Sequence, residues 1–258
     1  MCYIWSMTTS SFGYSVKSLD INTSGRRWEI VENQLVSPLT TIKGLGLAAI
    51  DEIVHKRPFL SVEDLLFDKG VVARKVNKKS LDAMCRAGAM ESLMDDRFFG
   101  DKHFWSAVVV DKPKNKKKLK ANIEKYKDEG TFSKGERISH LQALTGIYPI
   151  NMVVPVKAYQ FFEMQGIVPL SEYDRELGKG WCIPTEVNLK KTKTGKPYYQ
   201  VTVIDSSMET QRINCWGVDP KRDFIYPHKL YVLEWPKYNE TWGFSTSGGL
   251  SRNWKLLG

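Results

Sequence analysis

Cysteine is scarce in this chain and is nowhere paired along the sequence. Cys2, Cys85, Cys182 and Cys215 are its four cysteines among 258 residues, and no C-x-x-C pair occurs. Structural zinc sites and disulfide scaffolds both depend on closely spaced cysteines. We therefore expect neither a zinc knuckle nor a disulfide framework, and a reducing, intracellular compartment is the simpler interpretation.

Long apolar runs and common catalytic motifs are also missing. No stretch approaches the roughly 20 apolar residues of a membrane-spanning helix. The N-terminal MCYIWSMTTSS has neither the basic start nor the long apolar core of a signal peptide. No P-loop, serine-hydrolase elbow or HExxH zinc motif occurs, and the four histidines lack ligand spacing. We expect no membrane partner and no familiar hydrolase or nucleotide-binding site.

Positive charge is what the chain has in excess. It carries 38 lysines and arginines against 29 acidic residues, for a net charge of +9. Such a balance favours a polyanionic partner, nucleic acid first and an acidic membrane surface second. The length is sufficient for two domains of ordinary size, and a hydrophobic content of 42% is adequate for packed cores.

Changes in residue pattern divide the chain into four predicted segments. Residues 1–40 contain a strand and hairpin pattern, residues 41–95 have helical spacing, and residues 96–178 form a basic helical arm and connector. Residues 179–258 have five short strand patterns separated by turn residues, which predicts a small antiparallel barrel. The predicted fold class is α+β and multidomain, with a helical domain followed by a five-stranded barrel.

The basic arm contains a dense lysine run between Lys114 and Lys120. A run of this kind forms either a charged helix or a mobile arm. It is able to follow a nucleic-acid duplex, although many such runs are simply solvated helix faces. The sequence leaves both alternatives open.

A Gly-Leu-Gly turn stands at the start of a predicted helix. Gly44 and Gly46 flank Leu45, and Lys43 precedes them. Glycine accepts a positive φ without steric cost, and bare backbone lets a phosphate reach amides at the positive end of the following helix. Leu45 is suited to anchor the turn in the core. The pattern is typical of a helix-hairpin-helix motif, which binds the sugar-phosphate backbone; the alternative is a plain glycine-broken turn.

A second helical turn follows about forty residues later. It contains Arg86, Ala87 and Gly88 within LDAMCRAGAMESL. Two such units would make a tandem helix-hairpin-helix domain, with Arg86 and Gly88 as further backbone contacts. The second turn lacks the double glycine, so an ordinary glycine helix stop is the alternative.

Five segments, in order, resemble one protein family. They are SLDINTSG (18–25), IKGLGLAAIDEIVHKRPFLSVEDLL (42–66), LDAMCRAGAMESL (81–93), LTGIYPINMVVP (144–155) and GWCIPTEVNLKKTKTGKPYYQVTVID (180–205). The sequence resembles the C-terminal half of bacterial DNA polymerase III alpha subunits, the C-family replicative polymerases. Leu19 replaces the usual proline, and the connector at 144–155 lacks the family's Ser-Gly-His-Pro core.

The resemblance implies a tandem helix-hairpin-helix domain followed by an OB-fold barrel. Duplex DNA would contact the hairpins, and single-stranded template would contact the barrel. The family's catalytic palm and its Mg²⁺ lie in a region outside these segments, so the resemblance implies no cofactor in this chain. It implies a separate polypeptide that carries palm and fingers, a split polymerase of bacterial or phage origin, other replisome proteins as further partners, and the cytoplasm of a bacterial or phage-infected cell.

An OB-fold binds single strands through exposed aromatic side chains and basic loops. The candidate contacts in this chain are the lysines of the first hairpin turn and two aromatic residues: Lys190, Lys191, Lys193, Lys196, Tyr198 and Trp216. Tyr198 and Tyr199 are adjacent, so one faces inward and the other outward on a strand. The alternatives are aromatic rings that fill the barrel and a lysine-rich turn that is merely solvated.

Two other functions stay open at this level. The first is a metal-dependent nuclease with acids such as Asp51, Glu52 or Glu63, although the predicted helix faces favour solvent exposure for all three. The second is a docking protein of the replication complex that never contacts DNA. Alternating acids in SEYDREL, Glu172 and Asp174 among them, are interpreted as solvated surface.

Overall fold

The computed structural model describes residues 15–257, and these form two compact units that divide between Ile147 and Tyr148. Cys2, the N-terminal MCYIWSMTTSS, the first part of the 1–40 segment and Gly258 lie outside the described residues. Each unit has its own hydrophobic core. The finer division into four segments stays a prediction.

The first unit contains a small three-stranded sheet. Its strands are β1 (Ser15–Lys17), β2 (Glu29–Val31) and β3 (Gln34–Val36), in the order β1–β3–β2. β2 and β3 pair as an antiparallel hairpin, as their alternating pattern predicts. Glu32 and Asn33 turn the hairpin with φ of 50° and 62°. Two consecutive positive φ values are the turn geometry that matches the twist of the flanking strands.

The SLDINTSG segment after β1 packs into the helical part of the unit. Ile21 is fully buried, and its amide donates to the Ala89 carbonyl at 2.7 Å. The Asn22 side chain donates to the Phe59 carbonyl at 2.8 Å and accepts from the Phe59 amide at 2.7 Å. Phe59 lies outside the helices and strands, and these two hydrogen bonds give its backbone amide and carbonyl a partner. The segment is therefore an integral part of the helical unit.

Five α-helices form the body of the first unit: α1 (Leu47–Lys56), α2 (Lys78–Arg86), α3 (Asp101–Trp105), α4 (Lys116–Lys125) and α5 (Lys134–Thr145). π-helical and 3-10 turns complete it, at Leu39–Thr41, Asp64–Asp68, Glu91–Leu93, Ser106–Val110 and Lys127–Glu129. α1 ends at Arg57, whose extended backbone (ψ 161°) is what a residue before proline adopts.

Most of the lysine run lies on a helix, with Lys114 and Asn115 before its first residue. α4 begins after Asn115, whose side chain accepts from the Lys118 amide at 2.8 Å. Leu119 is 1% exposed and Asn122 is fully buried, with its side-chain amide donating to the Ala107 carbonyl at 2.9 Å. A capped start and two buried anchors fix one face of the helix. Of the two alternatives that the sequence left open, the structure therefore has the charged helix and not the mobile arm.

The second unit contains one curled sheet with two helices. The strands are β4 (Val168–Pro169), β5 (Lys179–Lys191), β6 (Pro197–Ile204), β7 (Thr210–Trp216), β8 (Leu230–Glu234), β9 (Lys237–Asn239), β10 (Gly243–Ser247) and β11 (Trp254–Leu257). The helices are α6 (Val156–Gln165) and α7 (Leu250–Asn253), with 3-10 turns at Ile150–Met152 and Leu170–Glu172.

The long strand β5 is what curls this sheet. Its first residues pair with β8 and its later residues pair with β6, so the strand belongs to both halves of the sheet. The register shifts between Pro184 and Glu186. A bulge of this kind bends a strand and increases its twist. The resulting order is β11–β8–β5–β6–β7–β10–β9, with β4 beside β5.

The predicted fold class is confirmed in outline. A helical region precedes a curled mixed sheet, a half-barrel consistent with an OB-like domain. The five predicted strands correspond to β5, β6, β7, β8 and β10. The expectation of a purely antiparallel barrel was wrong, because β10 pairs with β7 in parallel and three short strands extend the sheet. The chain from β7 to β10 is long enough for a crossover, which a parallel pair requires.

No helix within residues 15–257 is a candidate for crossing a bilayer. The longest, α5, has 12 residues, whereas a span needs about 20 apolar ones.

Candidate nucleic-acid interface

The Gly-Leu-Gly turn has the backbone that its sequence predicts. Gly44 has φ +85°, a value that side chains disfavour. Leu45 is 8% exposed and belongs to the core of the first unit, as expected for the anchor of the turn. Gly46 is the N-cap of α1, with extended φ −74° and ψ 152°. The turn therefore delivers the chain directly into the first turn of α1.

The start of α1 presents open backbone. Gly46 has no side chain to cap the helix, and an added Cβ there would meet no heavy atom within 4 Å. The Gly46 carbonyl accepts from the amides of Ala49 and Ile50, which leaves Leu47 and Ala48 at the uncapped end. The first amides of a helix lack partners within it and carry its positive dipole end. The site has the geometry to accept a phosphate.

Two lysines belong to the surroundings of the Gly-Leu-Gly turn. Lys43 is exposed, and its ammonium lies 3.2 Å from the point that a Cβ on Gly146 would occupy. Lys79, in the first turn of α2, places its Cε 3.4 Å from the corresponding point on Gly44. Sequence reasoning found Lys43 and missed Lys79. The Lys78-Lys79 pair at a predicted helix start was a visible signal, but only the packing of α2 places Lys79 beside the turn.

The Gly88 turn closes a helix, whereas the Gly46 turn opens one. Gly88 has φ +77° and follows Ala87, the C-cap of α2. The Ala89 amide donates to the Met84 carbonyl at 2.9 Å, and the Gly88 amide donates to the Cys85 carbonyl at 3.0 Å. These two bonds form a Schellman motif. The C-terminal end of a helix is its negative end, so the structure favours the ordinary helix stop over the predicted phosphate contact at Gly88.

Arg86 is engaged by a side chain of its own helix. Its guanidinium donates through Nε to Asp82 at 3.1 Å, and the Trp105 indole donates to the same carboxylate at 2.8 Å. Burial raises the pKa of Asp82, but the hydrogen bonds from Arg86 and Trp105 outweigh it and hold that pKa below its usual value. The Arg86 charge is thus already compensated, which disfavours its predicted role as a DNA contact.

The three acids of the nuclease alternative each have a basic partner. Asp51 pairs with Arg26, Glu52 pairs with Lys75 at 2.7 Å, and Glu63 pairs with Arg97 at 2.7 Å. The Lys75 hydrogen bond is the main reason that the pKa of Glu52 is lowered. Within residues 15–257, no cluster of three metal-ligating side chains occurs. Separate ion pairs explain these acids without a shared metal site.

The second candidate surface lies on the outer face of the curled sheet. Lys190, Tyr198 and Trp216 are opposite one another on β5, β6 and β7. The rings of Tyr198 and Trp216 stack, with centroids 4.4 Å apart and an interplanar angle of 28°. Trp216 is 39% exposed. Two stacked rings at the surface form a platform on which an unpaired base is able to stack.

Polar residues continue this face beside the rings. Gln200 lies opposite Asn214, and its side-chain Nε2 donates to the side-chain Oδ1 of Asn214 at 3.3 Å. The Lys190 ammonium donates to the Gln200 side chain at 2.6 Å. Arg212, two residues before Asn214 on β7, is exposed on the same face. Sequence reasoning missed Gln200, Asn214 and Arg212, although their alternation with buried residues of β6 and β7 was a usable signal.

The opposite face of these strands is the core. Tyr199 is 8% exposed and Cys215 is fully buried, which confirms that one of the adjacent tyrosines faces inward and the other outward. Three other predicted residues, Lys191, Lys193 and Lys196, are exposed at the β5–β6 turn, where Gly195 has φ +80°. Like Lys190, they are exposed, and they form a basic turn at the end of these two strands.

Comparison with known proteins supports a specific relationship for the first unit. Residues 13–98 match the helix-hairpin-helix motif family. The DNA polymerase III subunit alpha of Caulobacter vibrioides (strain NA1000 / CB15N) is 33% identical over 90 residues, which is 33% of this chain and 8% of that protein. The alpha subunit of Thermotoga maritima is 33% identical over 85 residues, which is 33% of this chain and 10% of that protein.

A longer match comes from the DNA polymerase III subunit alpha of Borreliella burgdorferi, which is 31% identical over 121 residues. That match covers 44% of this chain and 10% of the relative. The matched stretch therefore spans a tenth or less of the length of these relatives. The sequence matches, the Gly44 turn and the helices around it identify residues 13–98 as a helix-hairpin-helix region of the kind found in DNA polymerase III alpha subunits.

Proposed function

We propose that this chain is a DNA-binding part of a replicative polymerase related to DNA polymerase III alpha. The first unit binds the backbone of duplex DNA, and the outer face of the curled sheet binds single-stranded template. The observation that carries the proposal is the start of α1, where uncapped amides and an unobstructed Gly46 follow a turn that begins after Lys43 and that the Lys79 side chain approaches at Gly44. A phosphate there receives backbone hydrogen bonds, a helix dipole and two cations together.

Backbone contacts of this kind position a protein on DNA without reading its sequence. Duplex binding by the first unit is therefore expected to depend strongly on salt and weakly on base sequence. The platform of Tyr198 and Trp216 adds a different contact, because a base must be unpaired before its face is free to stack on a ring. The first unit thus prefers duplex DNA and the platform prefers an unpaired strand. A primer-template contains both.

Polymerisation itself is assigned to another polypeptide. In this proposal, a palm-bearing chain supplies the clustered carboxylates and the Mg²⁺ that phosphoryl transfer requires, while this chain supplies grip on DNA. Other replisome proteins are further partners in this arrangement.

Fluorescence-anisotropy titration tests the proposal directly. The whole chain is titrated with labelled primer-template, duplex and single-stranded DNA at several salt concentrations. We expect all three to bind, with a logarithmic salt slope of about 0.9 per duplex phosphate and about 0.7 per single-strand phosphate neutralised. Negligible binding at low salt would reject the proposal and favour the docking role, whereas metal-dependent cleavage of the probes would favour a nuclease.

A further inference from the structure

An apolar pocket lies in the first unit between the Asp64–Asp68 turn and the segment before α4. Its cavity has a volume of about 510 Å³, within the range of ordinary ligand sites. Aliphatic and aromatic side chains line most of it: Leu65, Leu66, Phe67, Val71, Val76 and Leu81. Pro113 closes one side, and Ala73 lines the rim from an exposed loop.

Two lysines form the polar part of the wall. Lys112 and Lys114 both line the cavity. Neither makes an ion pair with a described acid. The acids closest to them in sequence pair with other lysines, Asp68 with Lys116 at 2.8 Å and Asp111 with Lys118 at 3.0 Å. Burial lowers the pKa of Lys112, which shows that water solvates this ammonium incompletely. An anionic group at the rim would relieve that cost.

We propose that this pocket binds a short acidic peptide segment of a partner protein, with one bulky apolar side chain inserted and its acidic neighbours on Lys112 and Lys114. The wall chemistry separates this occupant from nucleic acid. Bases prefer exposed aromatic faces, and the pocket offers mainly aliphatic groups with Phe67 half-buried. An apolar anchor with a charged rim is the usual arrangement of peptide-binding sites.

Anisotropy titrations with fluorescein-labelled peptides test this proposal without DNA. Three probes carry Leu, Phe or Trp between two aspartates on each side, and matched probes carry Ser at the centre or Lys in place of Asp. We expect at least one acidic-apolar probe to bind the whole chain, and the Ser and Lys probes to bind at least about fivefold more weakly. No binding by any acidic-apolar probe at 1 mM peptide (about the weakest affinity of interest) would overturn the proposal.

Matched variants locate the site. Ala73→Phe fills the rim from an exposed loop position and should abolish probe binding. Lys114→Glu should weaken it at least about fivefold, while Lys120→Glu, an equal charge change on an α4 residue outside the pocket wall, should change it less than about twofold. Equal losses with Lys114→Glu and Lys120→Glu, or unchanged binding with Ala73→Phe, would overturn the proposal. Unaltered thermal unfolding and an unaltered far-UV circular dichroism spectrum of each variant establish that it is folded, and neither readout depends on the DNA-binding proposal.

Discussion

Gly46 is a position where DNA binding and stability should respond in opposite directions. Its N-cap conformation suits any residue, and a new side chain there meets open space. In Gly46→Asp, the carboxylate would cap α1 and raise the free energy of unfolding by a few tenths of a kcal/mol. The carboxylate would also occupy the amides and repel phosphate. We therefore expect duplex affinity to fall at least about tenfold, which corresponds to the loss of one charge-assisted hydrogen bond.

Gly46→Asn is the matched control for that experiment. It has the same shape and caps the helix without charge, so we expect an intermediate loss of duplex affinity. Denaturant unfolding and anisotropy titration give the two readings. Gly44 is less suitable than Gly46 for this test, because its φ of +85° strains any side chain. Unchanged duplex affinity in folded Gly46→Asp would exclude the start of α1 as a phosphate site.

Asp82 is predicted to stabilise the first unit. Its carboxylate accepts from Arg86 and from the Trp105 indole. Asp82→Asn removes the charge from both bonds, and we expect the free energy of unfolding at pH 7 to fall by about 1–3 kcal/mol. Glu124→Gln, which breaks an exposed pair with Lys127, should cost less than about 1 kcal/mol.

The pH dependence of that effect has a definite sign. Because the folded-state pKa of Asp82 is below its usual value, its contribution is fully present above that usual value, about 4, and is lost as the pH falls through the folded-state pKa. Urea denaturation between pH 7 and pH 3 should therefore show a smaller acid loss of stability in Asp82→Asn than in the unaltered chain. An equal acid loss in both would show that other carboxylates cause it.

At the scale of elements, the contact of the Gly44 turn with α2 makes a prediction for the salt dependence of duplex binding. Lys43 belongs to the turn and Lys79 to α2, and we propose that both neutralise phosphates. Lys43→Gln and Lys79→Gln should each reduce the logarithmic salt slope of duplex binding by about 0.9. Lys134→Gln, an exposed lysine at the start of α5, should leave the slope unchanged. A slope that Lys79→Gln does not alter would remove α2 from the interface.

The β6–β7 platform makes an independent prediction for single strands. Trp216→Ala removes the outer ring of the stack, and we expect single-stranded DNA affinity to fall by about 1–3 kcal/mol of stacking free energy. Trp216→Phe keeps an aromatic face and should retain most of the affinity. Anisotropy titration with an oligothymidine probe measures both. Equal losses in the two variants would indicate that the indole has a structural role and does not stack on bases.

At the scale of the whole molecule, two separate cores predict two cooperative units. Ile50 is fully buried in the first core and Ile213 in the second. Each Ile→Ala change should cost about 2–5 kcal/mol in its own unit. Hydrogen exchange should then show that Ile50→Ala weakens amide protection in α1 and α2, and that Ile213→Ala weakens it in β5–β7. Loss of protection throughout the chain in either variant would indicate a single cooperative fold.

Much of this architecture follows from local sequence. Gly44, Leu45 and Gly46 specify a turn into α1, because glycine is favoured at a positive φ and the apolar residue between the glycines must be buried. The alternation at Tyr198 and Tyr199 assigned one ring to each face of β6 because the strand period is two. The five long strand patterns were recognisable for the same reason.

Tertiary structure decided which of the candidate groups share a surface. Lys79 joins the Gly44 turn only through the packing of α2, and Arg86 is paired with Asp82 of its own helix. The parallel pairing of β7 with β10 likewise depends on a long connection that carries no local signal. Sequence alone therefore determined the turns, the strand faces and the excess of positive charge, which are short-range properties. The arrangement of the uncapped α1 amides, the lysines and the stacked rings depends on contacts between residues distant along the chain, which only the folded structure specifies.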